Sequence, residues 1–282
     1  MTTYSHRYHA GNHADVLKHV ALLTLVKDVT ARAGGAVTFV ETHAGEGRYT
    51  LGPTGEWTEG IGRLDSAGST TRAALSDYFD HLQRLEAAHR TPNRGGPYPG
   101  SPLFALSALR ANDRVLLVEK QADAVDALRR AVAQDKRAQV IHGDGWATLR
   151  ETLAGLSDGE AARTVVHIDP AFNDPDEWRV AGEALIACRQ AGVRAALWYP
   201  IKSLTRPNAL LARLSAARAA ATTVEAHVTP LDMKRNALNG SGVALVGVDA
   251  EVVFTLAART AALSEALATH EGRYTVRVQR TA

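Results

Sequence analysis

The chain has 282 residues and a net charge of +2, and 45% of its residues are hydrophobic. This length suits one large α/β domain or two small ones, and no apolar run reaches the roughly 18 residues that a membrane span needs. The single cysteine, Cys188, excludes an intramolecular disulfide, and residues 1–7 lack the apolar stretch of a signal peptide. We therefore expect a cytoplasmic protein with no membrane segment, in which any nucleic-acid surface is a local cluster of basic residues.

Hydrophobic periodicity predicts alternating helices and strands. Apolar residues at helical spacing run from His13 to Ala33, with Asn12 as the N-cap and Gly34-Gly35 ending the helix. Five later apolar runs are predicted strands: Val37–Val40, Val115–Val118, Ala138–Ile141, Thr164–Ile168 and Ala195–Tyr199. The segments Ala122–Ala133 and Glu177–Gln190 are predicted helices between them. This alternation predicts βαβ units and a mainly parallel, Rossmann-like α/β sheet. Thr222–Val228 and Val243–Val248 are candidates for a terminal hairpin.

One stretch breaks the alternation. Between Gly52 and Gly100 no segment has the pattern of a good strand, whereas Ala73–Ala88 has an amphipathic helical pattern. Glycine and proline turns flank this stretch on both sides. We therefore expect a small helical subdomain, inserted at about residues 53–99, within a single domain that covers residues 1–282.

Polar side chains follow three successive predicted strands. The first strand leads into Gly45 and Gly47, a Gly-x-Gly turn that lets a ligand approach the backbone. Glu119 ends the next strand, where an acidic residue can hold ribose hydroxyls, and Asp144 follows the third strand and can accept from an adenine amine. The third glycine of the dinucleotide fingerprint is replaced by Thr50, so a plain strand-to-helix turn remains an alternative. Together these residues favour a nucleoside cofactor without a pyrophosphate, which fits S-adenosylmethionine better than NAD.

The sequence Asp169-Pro170-Ala171-Phe172 directly follows the predicted strand Thr164–Ile168. Ligands of open α/β sheets bind at this edge. Asp169 and the Pro170 carbonyl can each accept one N–H of an exocyclic amine, while Phe172 can stack on the base. His167 is expected to be a hydrogen-bonded core histidine. Trp198-Tyr199-Pro200 is expected to pack in the core and to end its strand, with a lining of the base pocket as the alternative.

The N-terminal segment concentrates polar and aromatic residues: Tyr4, His6, His9, His13, Lys18 and His19. His9 and His13 have a spacing that zinc sites use, but no third ligand is evident and Gly11-Asn12 breaks the helix between them. A solvated helix start with incidental histidines is a second interpretation. The favoured interpretation is that residues 1–20 form an arm over cofactor and substrate, and composition alone does not choose among the three.

Several motifs resemble those of the RlmJ family, bacterial 23S rRNA adenine-N6 methyltransferases. The longest is His9-Ala10-Gly11-Asn12-His13-Ala14-Asp15-Val16-Leu17-Lys18-His19, preceded by Tyr4-Ser5-His6. The others occur in the same order along the chain: Thr42–Tyr49, Tyr98–Pro102, Asp144-Gly145, Asp169-Pro170 and Leu197–Pro200. The resemblance covers nearly the whole chain and includes the helical insertion.

The resemblance implies roles for individual residues. Asp169 would be the catalytic carboxylate, and Tyr4 and His6 would lie on the substrate side. S-adenosylmethionine would contact His19, His43, Ser101, Glu119, Asp144 and Gly145, with Lys18 close by. The implied partner is 23S rRNA, protein-free or in an early assembly intermediate, and the chain is expected to be a monomer.

One departure from the family concerns the catalytic motif. The family usually shows Asp-Pro-Pro-Tyr, whereas this chain has Ala171 and Phe172 at the last two positions. Both amine acceptors remain, so we expect activity, although base positioning can change. Two alternatives stay open: a DNA adenine-N6 methyltransferase and a catalytically weak, cofactor-binding RNA assembly factor. Candidate phosphate contacts, each with solvated charge as the alternative, are Arg63, Arg72, Arg84, Arg90, Arg94 and Lys234-Arg235.

Overall fold

The computed structural model describes residues 8–86, 95–233, 237–270 and 273–281. Within these residues the strands are β1 (Thr38–Glu41), β2 (Arg48–Leu51), β3 (Gly96–Pro99), β4 (Arg114–Glu119), β5 (Ala138–His142), β6 (Thr164–Ile168), β7 (Arg194–Ile201), β8 (Thr222–His227), β9 (Gly240–Val246) and β10 (Thr275–Arg280). The helices are α1 (His13–Arg32), α2 (Ile61–Leu64), α3 (Ser69–Ala74), α4 (Ser76–Glu86), α5 (Ser101–Ala108), α6 (Ala122–Val132), α7 (Gly145–Ala154), α8 (Asp158–Ala161), α9 (Glu177–Gln190), α10 (Thr205–Ala216) and α11 (Ala250–Leu267).

Eight strands form one sheet in the order β10-β8-β9-β7-β6-β1-β4-β5. The five strands from β7 to β5 in this order are parallel, whereas β9 runs antiparallel to both β7 and β8, and β10 antiparallel to β8. The mainly parallel α/β sheet and the hairpin of β8 and β9 are thus confirmed. Strand β10 was not predicted. All its residues are half-buried or exposed, as is typical of an edge strand, which carries a weak hydrophobic signal.

Helix α1 forms because its N-terminus is capped and because nearly all its side chains find apolar neighbours. The Asn12 side chain accepts hydrogen bonds from the backbone N–H groups of Ala14 and Asp15, as the sequence predicted. The helix packs against the sheet on one side and against α5 and α11 on the other, so it is buried along most of its length. A charged residue in its first turns is therefore held away from water.

The segment between β2 and β3 is largely helical, as predicted, but it ends in a strand. A short 3-10 helix, Glu56–Glu59, precedes α2, α3 and α4, and β3 pairs with β2 as an antiparallel ribbon. The expectation that no strand lies between Gly52 and Gly100 is therefore wrong. Pro97 and Pro99 obscured β3 because proline cannot donate to a ladder, which is tolerated in a two-stranded ribbon whose strands are both edges. The boundaries of the inserted subdomain stay a prediction.

Both faces of the sheet are covered by helices. One apolar core lies under α1, α5 and α11 and includes side chains of α2 and α4; the other lies under α9 and α10. Among the described residues, no helix is both long and apolar enough to cross a bilayer.

Candidate active site

The carboxyl ends of β1, β4, β5 and β6 meet at one edge of the sheet. The chain runs from β1 to β4 and β5 on one side of β1 and then returns to β6 on the other side. Such a reversal of strand order opens a crevice at the carboxyl ends of the strands, where open α/β sheets bind ligands. The structure therefore brings His43, Glu119, Asp144 and Asp169 to a common edge.

The turn after β1 is held open by two glycines and one carboxylate. Gly45 and Gly47 have φ of +62° and +74°, and a Cβ on Gly45 would lie only 2.3 Å from the Tyr49 hydroxyl. Glu119 accepts the Gly45 backbone N–H at 2.9 Å and the Gln121 N–H at 2.8 Å. A carboxylate has about four lone-pair sites, so Glu119 retains acceptor capacity for a ligand hydroxyl.

Asp144 caps α7 at the end of β5. One of its oxygens accepts two backbone N–H groups in the first turn of the helix, each at 3.0 Å, and the other lies 3.5 Å from Lys120 Nζ. The N–H of Ala147 contributes most to lowering the pKa of Asp144, with burial acting against it. At the next residue, Gly145, a Cβ would lie 2.0 Å from the carbonyl oxygen of Thr42, so glycine lets α7 approach β1 closely.

Lys18 connects α1 to the end of β6. Its Nζ lies 2.8 Å from Asp169 Oδ2 and 2.7 Å from Asp15 Oδ1, and its side chain is only 5% exposed. Burial alone would lower the pKa of Lys18, but the two carboxylates hold it well above its usual value. Asp15 is in turn fixed by the backbone N–H of Gly11 at 2.9 Å. Sequence reasoning selected Lys18 and Asp169 but missed Asp15, whose signal was its i, i+3 spacing to a lysine.

His19 lies deeper than Lys18. It is 1% exposed, its Nδ1 lies 3.0 Å from the Tyr98 hydroxyl, and its ring packs on Phe104 at 4.5 Å. The Tyr98 hydroxyl also contacts that of Tyr78 at 3.1 Å. His19 therefore joins α1, β3 and α5, and its contact with a cofactor stays a prediction.

His43 and Ser101 lie on opposite sides of the β1 end. The His43 ring stands edge-on to Trp146 at 4.7 Å, its Nδ1 lies 2.8 Å from the Thr42 hydroxyl, and burial lowers its pKa. Ser101 begins α5, is 5% exposed and lies beside the carboxyl group of Glu41. Both are positioned near the edge where the resemblance puts the cofactor.

Glu41 and His167 form a buried polar pair that sequence reasoning missed. Glu41 Oε1 lies 3.9 Å from His167 Nε2, and neither His167 nitrogen has a hydrogen-bond partner within the described residues, while the Glu41 carboxyl group lies beside Ser101. Burial raises the pKa of Glu41 to about 8 and lowers the pKa of His167 to about 4. His167 is buried in the core, as expected, but the expectation that it is hydrogen-bonded there is wrong.

The loop after β6 carries backbone strain at an aromatic residue. Pro170 is buried, whereas Phe172 is partly exposed and has φ of +51°, a conformation that costs a bulky residue about 1–3 kcal/mol. Its ring lies 4.5 Å from Trp178 and 6.2 Å from Trp198. Tyr199, by contrast, is fully buried and donates to Glu225, consistent with the packing role expected for it.

The N-terminal candidates are only partly described. Tyr4 and His6 lie outside the described residues. His9 contacts Glu56 at 2.9 Å, and His13 Nε2 lies 3.2 Å from the carbonyl oxygen of Leu238. No group of three or more potential metal-ligating side chains occurs in the part of the chain that the structure describes.

Two of the candidate phosphate contacts are occupied by protein groups. Arg63 donates to the carbonyl oxygens of Leu267 and Ala268 at the end of α11. Arg72 donates to the Asp65 carbonyl and lies over the Phe79 ring. Arg63 thus connects the insertion to α11, and Arg72 connects two parts of the insertion to each other. Arg84 is exposed, and Arg90, Arg94, Lys234 and Arg235 lie outside the described residues.

Comparisons with known proteins agree with this architecture. Residues 35–279 match the family model RsmJ, described as "Ribosomal RNA large subunit methyltransferase D, RlmJ". The chain is 34% identical over 212 residues to "Ribosomal RNA large subunit methyltransferase J" of Haemophilus influenzae and 35% identical over 211 residues to the protein of that name from Escherichia coli. Each alignment covers 71% of both chains.

A crystal structure of a Legionella pneumophila protein has the same fold. It superposes with a TM-score of 0.82 at 23% identity, covering 97% of this chain and 99% of that one. The sequence resemblance is therefore confirmed by a match over most of the chain and by two relatives above 30% identity. This chain belongs to the RlmJ family of large-subunit ribosomal RNA methyltransferases.

Proposed function

We propose that this chain transfers a methyl group from S-adenosylmethionine to the exocyclic N6 of one adenine in 23S rRNA. The observation that carries the proposal is the buried Lys18–Asp169 pair at the end of β6, directly before Pro170. It offers a fixed carboxylate and an adjacent backbone carbonyl at the ligand-binding edge of the sheet. Family membership supplies the reaction class and the large-subunit RNA substrate.

The residues at the strand ends fit S-adenosylmethionine by their chemistry. Glu119 offers acceptors for ribose hydroxyls, the oxygen of Asp144 that faces Lys120 suits an adenine amine, and the Gly45 turn allows close approach. The acidic character of the edge also suits a ligand with a sulfonium and an ammonium group. The remaining residues proposed to hold it are His19, His43, Ser101 and Gly145, with Lys18 close by. When bound, it would supply the electrophilic methyl group, whose bond to sulfur breaks as the bond to nitrogen forms, and it would leave as S-adenosylhomocysteine.

Asp169 is proposed to act on the target amine. Lys18 contacts Oδ2, and no described residue donates to Oδ1, which can therefore accept one N–H of the adenine amine. The Pro170 carbonyl accepts the other. Because both N–H bonds are then directed away from the ring plane, the nitrogen lone pair is withdrawn from conjugation and aimed at the methyl group. Most of the acceleration comes from this orientation and from fixed charge, and Asp169 takes up the proton that the amine loses.

Phe172 is proposed to replace the stacking that a flipped adenine loses. An adenine within a helix must leave its stack to reach a recessed carboxylate, which costs a few kcal/mol. The Phe172 ring already packs on Trp178 at the end of an aromatic cluster, so its position does not depend on the ligand.

We further propose that the substrate is protein-free rRNA or an early assembly intermediate in the cytoplasm and that the chain acts as a monomer. Sequence-specific RNA recognition favours unpaired loops and bulges whose bases can be splayed out, and such regions are accessible in RNA that carries no ribosomal proteins. The tyrosine and histidine at positions 4 and 6 are proposed to contact this RNA.

A substrate comparison tests the proposal. Transfer of labelled methyl from S-adenosylmethionine is measured on protein-free 23S rRNA, on mature large subunits and on duplex DNA. We expect efficient transfer to the free rRNA alone. Transfer to duplex DNA instead would support the DNA methyltransferase alternative, and cofactor binding without transfer to any of them would support a binding-only assembly factor.

A further inference from the structure

A groove of about 460 Å³ opens beside the Asp169–Phe172 loop, between the beginning of α9 and α10. One wall is formed by Trp178 and Arg179 and the other by Arg206, Leu210 and Arg213. The volume lies within the range of ligand-binding clefts, about 300–1,000 Å³. None of the roles assigned above uses this groove.

The groove is continuous with the proposed adenine-binding loop. The Trp178 ring lies 4.5 Å from Phe172, so one partly exposed aromatic side chain belongs to the groove and also supports the residue proposed to stack on the target base. An RNA strand that places one base at Phe172 therefore carries its neighbouring nucleotide toward Trp178. Stacking on an aromatic side chain is worth about 1–3 kcal/mol per base and accepts any base.

The charges of the groove are segregated between its walls. On the α9 side Arg179 donates to Asp176 at 2.5 and 2.7 Å and to Glu183 at 2.8 Å, which neutralises it. Asp174, at the mouth, caps its own turn by accepting the Asp176 N–H at 2.9 Å. Asp176 and Glu183 are thus paired with Arg179, whereas Asp174 has no ion pair with a described residue and adds one negative charge at the mouth.

The α10 wall keeps positive charge available. Arg206 has no ion pair with any described residue. Arg213 lies 3.5 Å from Glu183, a carboxylate that Arg179 already holds more closely, and its charge also acts on Asp176. Arg206, Leu210 and Arg213 follow i, i+4, i+7 spacing, so both guanidinium groups lie on the same face of α10 with an apolar side chain between them. Two adjacent guanidinium groups opposite an aromatic ring match a phosphate beside a base.

We propose that this groove binds the nucleotide that adjoins the target adenine, with its phosphate at Arg206 and Arg213 and its base or ribose against Trp178. The inference rests on the proposed function and extends it from the methylated base to the flanking strand. It assigns the RNA contact to α10 and not to Arg63 and Arg72 of the insertion, whose guanidinium groups donate to protein carbonyl oxygens.

The test compares a variant that removes the charges of Arg206 and Arg213, a variant that retains them, and a control at a distant arginine. The variants are Arg206→Gln/Arg213→Gln, Arg206→Lys/Arg213→Lys, and Arg189→Gln at the exposed C-terminal end of α9, outside the groove. Binding of a fluorescent, adenine-containing single-stranded RNA oligonucleotide is followed by anisotropy over a range of salt concentrations. The KM for rRNA, kcat and S-adenosylmethionine affinity are measured in parallel.

We expect the double glutamine variant to bind the oligonucleotide at least about fivefold more weakly and to lose about 0.7 from the slope of log K against log salt, since the two arginines share one phosphate and each single-strand phosphate contributes about 0.7. Its KM for rRNA rises, while kcat and cofactor affinity stay near wild type. The lysine variant recovers most of the affinity, and Arg189→Gln matches wild type. Retained affinity and slope in the glutamine variant would overturn the groove assignment.

The two proposals fail differently. If wild type methylates 23S rRNA but the glutamine variant keeps its KM and salt slope, the groove proposal falls and the methyltransferase function stands. If wild type binds the oligonucleotide through Arg206 and Arg213 but methylates no RNA, the function falls and the groove stands as an RNA-binding site. An absence of oligonucleotide binding by wild type would overturn the groove proposal.

Discussion

Lys18 Nζ donates to Asp169 Oδ2 at 2.8 Å across a sequence separation of 151 residues. The contact joins the first turns of a buried helix to the loop where the adenine is proposed to bind. Because Asp15 shares the same ammonium group, one cation compensates two carboxylates in a region with little access to water. This arrangement fixes the Asp169 carboxylate before any substrate arrives, which is the preorganisation that positional catalysis requires.

Removing the shared cation should destabilise the fold as well as slow the reaction. Lys18→Met leaves Asp15 and Asp169 facing each other without compensation, and breaking a buried ion pair in this way costs about 3–5 kcal/mol. Lys27→Met, on the same helix but partly exposed beside Asp77, should cost at most about 1 kcal/mol. Denaturant unfolding measures both free energies. Equal losses in the two variants would show that the buried pair adds nothing beyond a surface ion pair.

Asp169→Asn should separate binding from chemistry. The amide keeps the size of the carboxylate but lacks its charge and can turn an N–H toward the adenine amine, so we expect methyl transfer to fall at least about 10²-fold. S-adenosylmethionine affinity should change little. Asp158→Asn, in α8 before the opposite end of β6, is the control and should keep wild-type rates. A rate for Asp169→Asn near that of the control would contradict the catalytic assignment.

The positive φ of Phe172 predicts an unusual order of stabilities. Phe172→Gly removes the ring but relieves the backbone, whereas Phe172→Ala removes the ring and keeps the strain. Gly should therefore be the more stable variant by about 1 kcal/mol, the reverse of the order in a helix. Both should methylate slowly, and Phe172→Tyr should remain active because the ring is retained. Thermal unfolding checks the order, and an Ala variant more stable than the Gly variant would be inconsistent with the strained loop.

Glu41 should make stability fall as pH rises. Its pKa is about 8 in the folded state, above the ordinary value of 4.5, so between these pH values the unfolded chain releases a proton that the folded chain keeps. The unfolded state binds fewer protons, and stability decreases by at most about 1.4 kcal/mol per pH unit across this window. Glu41→Gln removes this loss, so its stability relative to wild type should increase from pH 5 to pH 8. A difference that is constant with pH would mean that Glu41 titrates normally.

The sequence predicted elements best where local patterns are strong. Thr164–Ile168 and Glu177–Gln190 have the predicted bounds because each is a continuous apolar run or a full helical repeat between clear breaks. Strand β3 was missed because its two prolines suppress the strand signal. Its pairing with β2 also depends on a contact between segments that are distant in sequence. Short edge elements of this kind depend on partners that local sequence does not encode.

The sequence indicated which residues belong to the site but not which of them contact one another. Lys18 and Asp169 each stood out, yet nothing in the sequence indicated that they touch or that Asp15 joins them. Glu41 resembled an ordinary polar residue at a strand end, and its burial follows from α5 packing over it about 60 residues later in the chain. The groove beside Trp178 depends in the same way on how α9 and α10 lie against each other.

Identification of the methylated nucleoside tests the central claim most directly. Protein-free 23S rRNA is incubated with the chain and S-adenosylmethionine, digested, and examined by mass spectrometry and fragment mapping, with the Asp169→Asn variant alongside. We predict N6-methyladenosine at a single position, formed by wild type and not by the variant. Methylation at a ring nitrogen, at a ribose hydroxyl or on another base would contradict an active site in which Asp169 and Pro170 hold an exocyclic amine.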